Sequence, residues 1–140
     1  MSTPIGKLEF QTPEVSKVFD KIPDNASKKL LVIRAIIFQL AANSDEIGSI
    51  NESLKWGEPS YATVRPKSGS PIRLGWKDKA PDSISIYVNC QTSLIEQWRH
   101  LYGHLSYIGN RELKLPLNQN LPLSELEHCL GIALTYHLKK

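Results

Sequence analysis

Three successive segments, "SYATVRP" (Ser60–Pro66), "PIRLGWK" (Pro71–Lys77) and "SISIYVN" (Ser83–Asn89), alternate in polarity with a period of two. Alternation of this kind sends consecutive side chains to opposite faces of a strand. The breaks between them, "KSGS" (Lys67–Ser70) and "KDKAPD" (Lys77–Asp82), are turn residues. Connections this short admit only antiparallel neighbours, because a parallel crossover needs a dozen or more residues. The chain is therefore predicted to carry an antiparallel meander, with a further strand before it at Ile50–Lys55.

Helical periodicity brackets the meander. Thr12 is placed to cap a helix that starts at Pro13 and ends at Lys21, with Val15, Val18, Phe19 and Ile22 on one side. Pro23 separates it from a second helix, capped by Asp24 or Asn25 and running to about Asn43. That helix is apolar on most sides and is predicted to be the central buried one. "TSLIEQWRHLY" is a third helix, capped by Thr92 and ended by Gly103. "LSYIGN" and "ELKLPL" are two short strands around a tight turn at Gly109–Asn110. "LSELEHCLGIALTYHLKK" closes the chain as an amphipathic helix. Leu126, Cys129, Leu130, Ala133, Leu134 and His137 lie on one side of it, and Lys139 and Lys140 sit at the negative end of its dipole. The order predicts an α+β two-layer sandwich: an antiparallel sheet of five or six strands with helices mainly on one face. Residues 1–12 are read as an N-terminal extension and 13–140 as a single domain.

The 140 residues are 41% hydrophobic and 22% charged, which suits one packed domain. Net charge is +3, a mild bias toward anions. The N-terminus has no apolar run of signal-peptide kind. "LLVIRAIIFQLAA", interrupted by Arg34 and Gln39, is too short to span a bilayer, so a cytoplasmic location and no membrane contact are expected. Cys90 and Cys129 form no CxxC and fit a reducing compartment.

Catalytic signatures are missing: there is no GxSxG, P-loop or GxGxxG after a strand. His100, His104 and Cys90 lack the cysteine pair of a structural zinc site, and Glu125-x-x-His128 is half of a di-iron motif without its second half. Cys129 reads as a small core hydrophobe. Arg34, in an otherwise apolar helix, is expected to pair with Glu52, since an unpaired buried charge costs several kcal/mol.

Strand parity assigns Leu54, Trp56, Ala62, Val64, Ile72, Leu74, Trp76, Ile84, Ile86 and Val88 to the core face. Lys55, Tyr61, Thr63, Arg65, Arg73, Lys77, Ser85, Tyr87 and Asn89 take the other, with Lys114 joining from a later strand. One reading of that second face is plain solvation, usual for antiparallel sheets. The other is a binding surface in which Tyr61, Arg65, Arg73, Lys77 and Tyr87 meet an anionic small molecule or an acidic protein partner. Nucleic acid is not expected, because its binders carry a longer cationic track. The sequence sets no oligomeric state.

"ESLKWGEPSYATV", "GSPIRLGW", "GNRELKLPL" and the closing "ALTYHLKK" resemble the YdhG-like family, known as domain of unknown function 1801. The resemblance implies a two-layer sandwich on an antiparallel sheet, related in shape to frataxin-like proteins. It also implies a second function, since a few members have been proposed as iron chaperones that use acidic surface residues. Asp20 and Asp24 are the matching candidates here, with iron as the bound metal. The basic composition and the lysines interleaved in "TPEVSKVFDKI" depart from that pattern. The leading expectation is a binding or adaptor domain without catalytic residues or cofactor. The iron chaperone follows, and third comes an enzyme whose pocket gathers Trp98, Arg99, Tyr107 and Arg111.

Overall fold

A computed structural model describes residues 9–139. The elements follow the predicted order: α1 (Pro13–Lys21), α2 (Asp24–Ala42), β1 (Ile50–Lys55), β2 (Glu58–Thr63), β3 (Ile72–Gly75), β4 (Ser83–Val88), α3 (Leu94–Leu101), β5 (Ser106–Ile108), β6 (Glu112–Pro116) and α4 (Leu123–Leu134). A 3-10 turn, Tyr136–Lys139, follows α4. The strands form one open six-stranded sheet in the order β1-β2-β3-β4-β6-β5, antiparallel at every junction. The fold is α+β. Among the described residues no helix is long and apolar enough to cross a membrane.

One sheet face is covered. Ile72, Leu74, Ile84, Ile86, Val88, Leu113 and Leu115 are buried there, in one core with Leu30, Ile33 and Ile37 of α2 and Leu126, Leu130 and Leu134 of α4. β3 and β4 obey the predicted parity, with Leu74 opposite Ile86 and Arg73 opposite Tyr87.

β2 does not. Lys55 pairs with Glu58, leaving Trp56–Gly57 as a two-residue turn with φ of 56° and 77°. Positive φ at both positions is the type I′ pattern that matches strand twist. Trp56, expected in the core, thus leaves the strand and is 90% exposed. The same register sets Tyr61 opposite Glu52 and Thr63 opposite Ile50, so both turn inward and are buried. Ala62 and Val64, expected inside, point the other way, and Val64 is exposed. "EPSYATV" offers apolar groups at both parities, so periodicity could not choose between them; the turn length did. Trp76 is half-buried beyond the end of β3, its indole N–H donating to the Pro81 carbonyl.

Helix ends follow local chemistry with small offsets. Thr12 accepts the Val15 N–H as expected. The cap of α2 is Pro23, and Asn25 accepts only from its neighbour Ala26. The cap of α3 is Ser93, one residue beyond Thr92. α4 stops at Leu134, short of the predicted end. The Ala133 carbonyl accepts from Ser70 N and that of Leu134 from the Ser68 hydroxyl, so Ser68–Ser70 form a buried stretch of loop seated on the helix end. His137 consequently falls outside α4 and is exposed, not core-facing. Lys140 and the side chain of Lys139 lie outside the described residues, as do residues 1–8 of the expected extension. Residues 9–11 of that extension pack on the domain. Phe10 lies against the core, 5.3 Å from Phe19 between ring centroids.

A candidate groove on the open sheet face

The covered face holds the predicted Arg34–Glu52 pair. The Arg34 Nε donates to Glu52 Oε2 and its Nη2 to Oε1 at 3.1 Å. Gln11 N (3.0 Å) and the Tyr61 hydroxyl (2.8 Å) also donate to this carboxylate. Phe10 and Phe38 lie 4.4 and 5.1 Å from the guanidinium carbon. Burial alone would raise the Glu52 carboxyl, but the Arg34, Gln11 and Tyr61 hydrogen bonds outweigh it and hold the group below its usual value. Burial beside that carboxylate drives the Tyr61 hydroxyl far up. Tyr61 therefore belongs to a saturated internal network and has no part in the open face, where it was expected.

The other sheet face carries no helix-packed core. Its centre is Arg73, whose Nη1 donates to Glu58 Oε1 at 2.8 Å and whose guanidinium carbon lies 5.2 Å from the centre of the Tyr87 ring. Lys77 Nζ lies 5.4 Å from the same ring. Capped by these two cations, Tyr87 is on the predicted face yet buried. The Ser85 hydroxyl donates to Glu112 Oε2. Gly75 leaves room for this packing, since a Cβ there would meet Glu58 Oε2 at 2.9 Å and Tyr87 Cε2 at 3.0 Å. Burial raises the Glu58 carboxyl; the Arg73 and Lys77 charges act against that shift.

Beside Arg73 runs a groove of about 430 Å³. β1 contributes Asn51, Ser53 and Lys55, the hairpin tip Trp56, and the β5–β6 turn Arg111. Asn89 and Cys90 close the end beyond β4. Among the described residues, the wall carries Lys55, Arg73 and Arg111 and no carboxylate.

Of the five expected binding residues, Arg73, Lys77 and Tyr87 come together. Arg65 does not: it is exposed near the start of the β2–β3 connection, its backbone against Gly48. Lys114 is on the open face, opposite Ser85. Sequence parity missed Trp56 as a surface group and the carboxylates Glu58 and Glu112. Reading "WG" as a two-residue turn would have recovered the β1–β2 register and with it Trp56 and Glu58, whereas Glu112 sits on β6 opposite Tyr87 and does not depend on that turn.

The four residues of the expected enzyme pocket do not converge. Trp98 is wholly buried in the core. Arg99 lies over the Tyr107 ring at 5.3 Å, and the Tyr107 hydroxyl, pushed up to about 12 chiefly by burial, meets the Trp98 and Tyr102 carbonyls. Arg111 lines the groove on the opposite face. Among the described residues no three His, Cys, Asp or Glu side chains converge on a metal position. Asp20 and Asp24 are both exposed. His104 faces Glu125 at 3.5 Å, while His128 Nδ1 lies 2.7 Å from the Tyr102 hydroxyl, a clasp between the α3–β5 loop and α4.

The class is thus a two-layer α+β domain with one covered and one open sheet face. The same fold occurs in YdhG, a protein of the domain-of-unknown-function 1801 family from Bacillus subtilis: the structures align with a TM-score of 0.60 over 84% of this chain and 85% of that one, at 13% identity. The family resemblance seen in the sequence is thereby met at the level of the fold. No family model matches the chain, and no curated protein matches it.

Proposed function

We propose that this chain is a binding module that holds a small anionic ligand in the groove on the open sheet face. The observation that carries this reading is the wall itself, with Lys55, Arg73 and Arg111 present and no carboxylate among the described lining residues. Cations converging on a concave site focus potential and draw anions. At about 430 Å³, the groove falls within the range of about 300–1,000 Å³ usual for small-molecule sites. Glu58 engages one nitrogen of Arg73, and the planar fork carries further N–H groups that match phosphate or carboxylate. Asn51, Ser53 and Asn89 add neutral hydrogen-bonding groups around the charges. An iron-chaperone role at Asp20 and Asp24 has no comparable support, because no third ligand joins them among the described residues.

Cys90 gives a direct readout. It is exposed and lines the groove, whereas Cys129 is buried and its thiol is pushed up to about 12, chiefly by burial. A thiol reagent therefore reports on the groove. Inorganic phosphate, ribose 5-phosphate and citrate should slow Cys90 labelling saturably and shift the amide signals of Ser53, Ala62 and Arg73. Protection should weaken at high salt and vanish in a folded R73A/R111A variant. Unchanged labelling and unchanged spectra with all three anions would overturn the reading.

A further inference from the structure

We infer that the ligand of this groove carries a flat aromatic group beside its anionic group, and that Trp56 is the platform on which the ring stacks. The inference rests on the groove reading above. Trp56 lines the groove together with the three cations. It is 90% exposed, in a chain whose other tryptophans are buried or half-buried. Large aromatic side chains contribute to stability by burial, and at this position the ring contributes almost none.

The backbone makes the placement more specific. Trp56 occupies the first central position of a two-residue turn at φ 56°. That position favours Asn, Asp or Gly, whereas a bulky residue at positive φ is an outlier. Local conformation and core packing both disfavour tryptophan here. An exposed indole at this strained position is placed to meet a ligand instead of the core. Indole faces stack on planar rings and on nucleobases without needing a particular ring identity. The cations beside it supply the second recognition element, a phosphate or carboxylate on the same molecule.

Two matched pairs of probes test this: adenosine 5′-monophosphate against ribose 5-phosphate, and phenylacetate against acetate. Binding is read by Trp fluorescence and by Cys90 protection. The aromatic member of at least one pair should bind about tenfold more tightly than its partner. The pair that shows the difference tells phosphate from carboxylate. W56A should bring both members of that pair to within about twofold of each other, and W56F should keep most of the difference. Equal binding within both pairs, or a difference that survives W56A, overturns the aromatic platform and leaves the anion groove standing. If none of the four probes binds saturably, this inference fails; if inorganic phosphate and citrate also leave Cys90 labelling unchanged, the groove reading fails with it.

Discussion

Among the described residues, each face of the sheet carries one Arg–Glu pair, and the two pairs behave in opposite ways. Arg34–Glu52, on the covered face, has side chains 1% and 0% exposed; Arg73–Glu58, on the open face, has 23% and 19%. Glu52 receives bonds from Nε and Nη2 of Arg34, from Gln11 and from Tyr61, and is held as a carboxylate. Glu58 has Arg73 alone as its hydrogen-bond partner among those described, and its carboxyl is raised. Both lose hydration, but only one recovers it in full. A saturated pair is scaffold. A pair held by a single hydrogen bond leaves its arginine further N–H groups, which the proposed groove ligand would use.

The most damaging way to break this contrast is at Glu52. E52A leaves Arg34 buried without its counter-charge and should cost about 3–5 kcal/mol, read from urea unfolding. L74A, in the buried core of the covered face, should cost about 2–5 kcal/mol by the same measurement. If E52A unfolds no more readily than a surface variant, the buried pair is not scaffold.

pH sharpens the comparison, because the two carboxyls contribute with opposite sign. The Glu52 value is lowered by folding, so its contribution is present above about 4.5 and is lost as pH falls through the folded value. The Glu58 value is raised, so its contribution is full below about 4.5 and is lost as pH rises through the folded value. Unfolding free energy measured against pH should therefore lose part of its acid fall in E52Q. In E58Q it should lose a decline on the less acidic side of 4.5. Slopes of the same sign for the two carboxyls would refute the distinction.

Smaller effects follow on the open face. E58Q at neutral pH should change stability by about 1 kcal/mol or less, since the pair is partly solvated, yet it should strengthen anion binding by releasing Arg73. The smallest effect is at the hairpin tip. W56N places a turn-forming residue at positive φ and should stabilise the fold by up to about 1 kcal/mol, seen as a raised Tm. A fall in Tm would mean that the indole does packing work in the free protein.

Much of this protein was determined by consecutive residues alone. Periodicity yielded the order of elements, the parity of β3 and β4, and the inward pairing of Arg34 with Glu52, because each depends on spacing within a segment or on the cost of a lone buried charge. The tertiary structure decided the rest. The β1–β2 register turned on a two-residue turn and on a buried arginine that draws Glu52 and Tyr61 inward together. The end of α4 turned on Ser68 and Ser70, which reach its last carbonyls from a distant loop. The groove joins Lys55, Arg73 and Arg111 from β1, β3 and the β5–β6 turn. Such convergence is set by hydrogen bonding between strands far apart in sequence, and no local pattern encodes it.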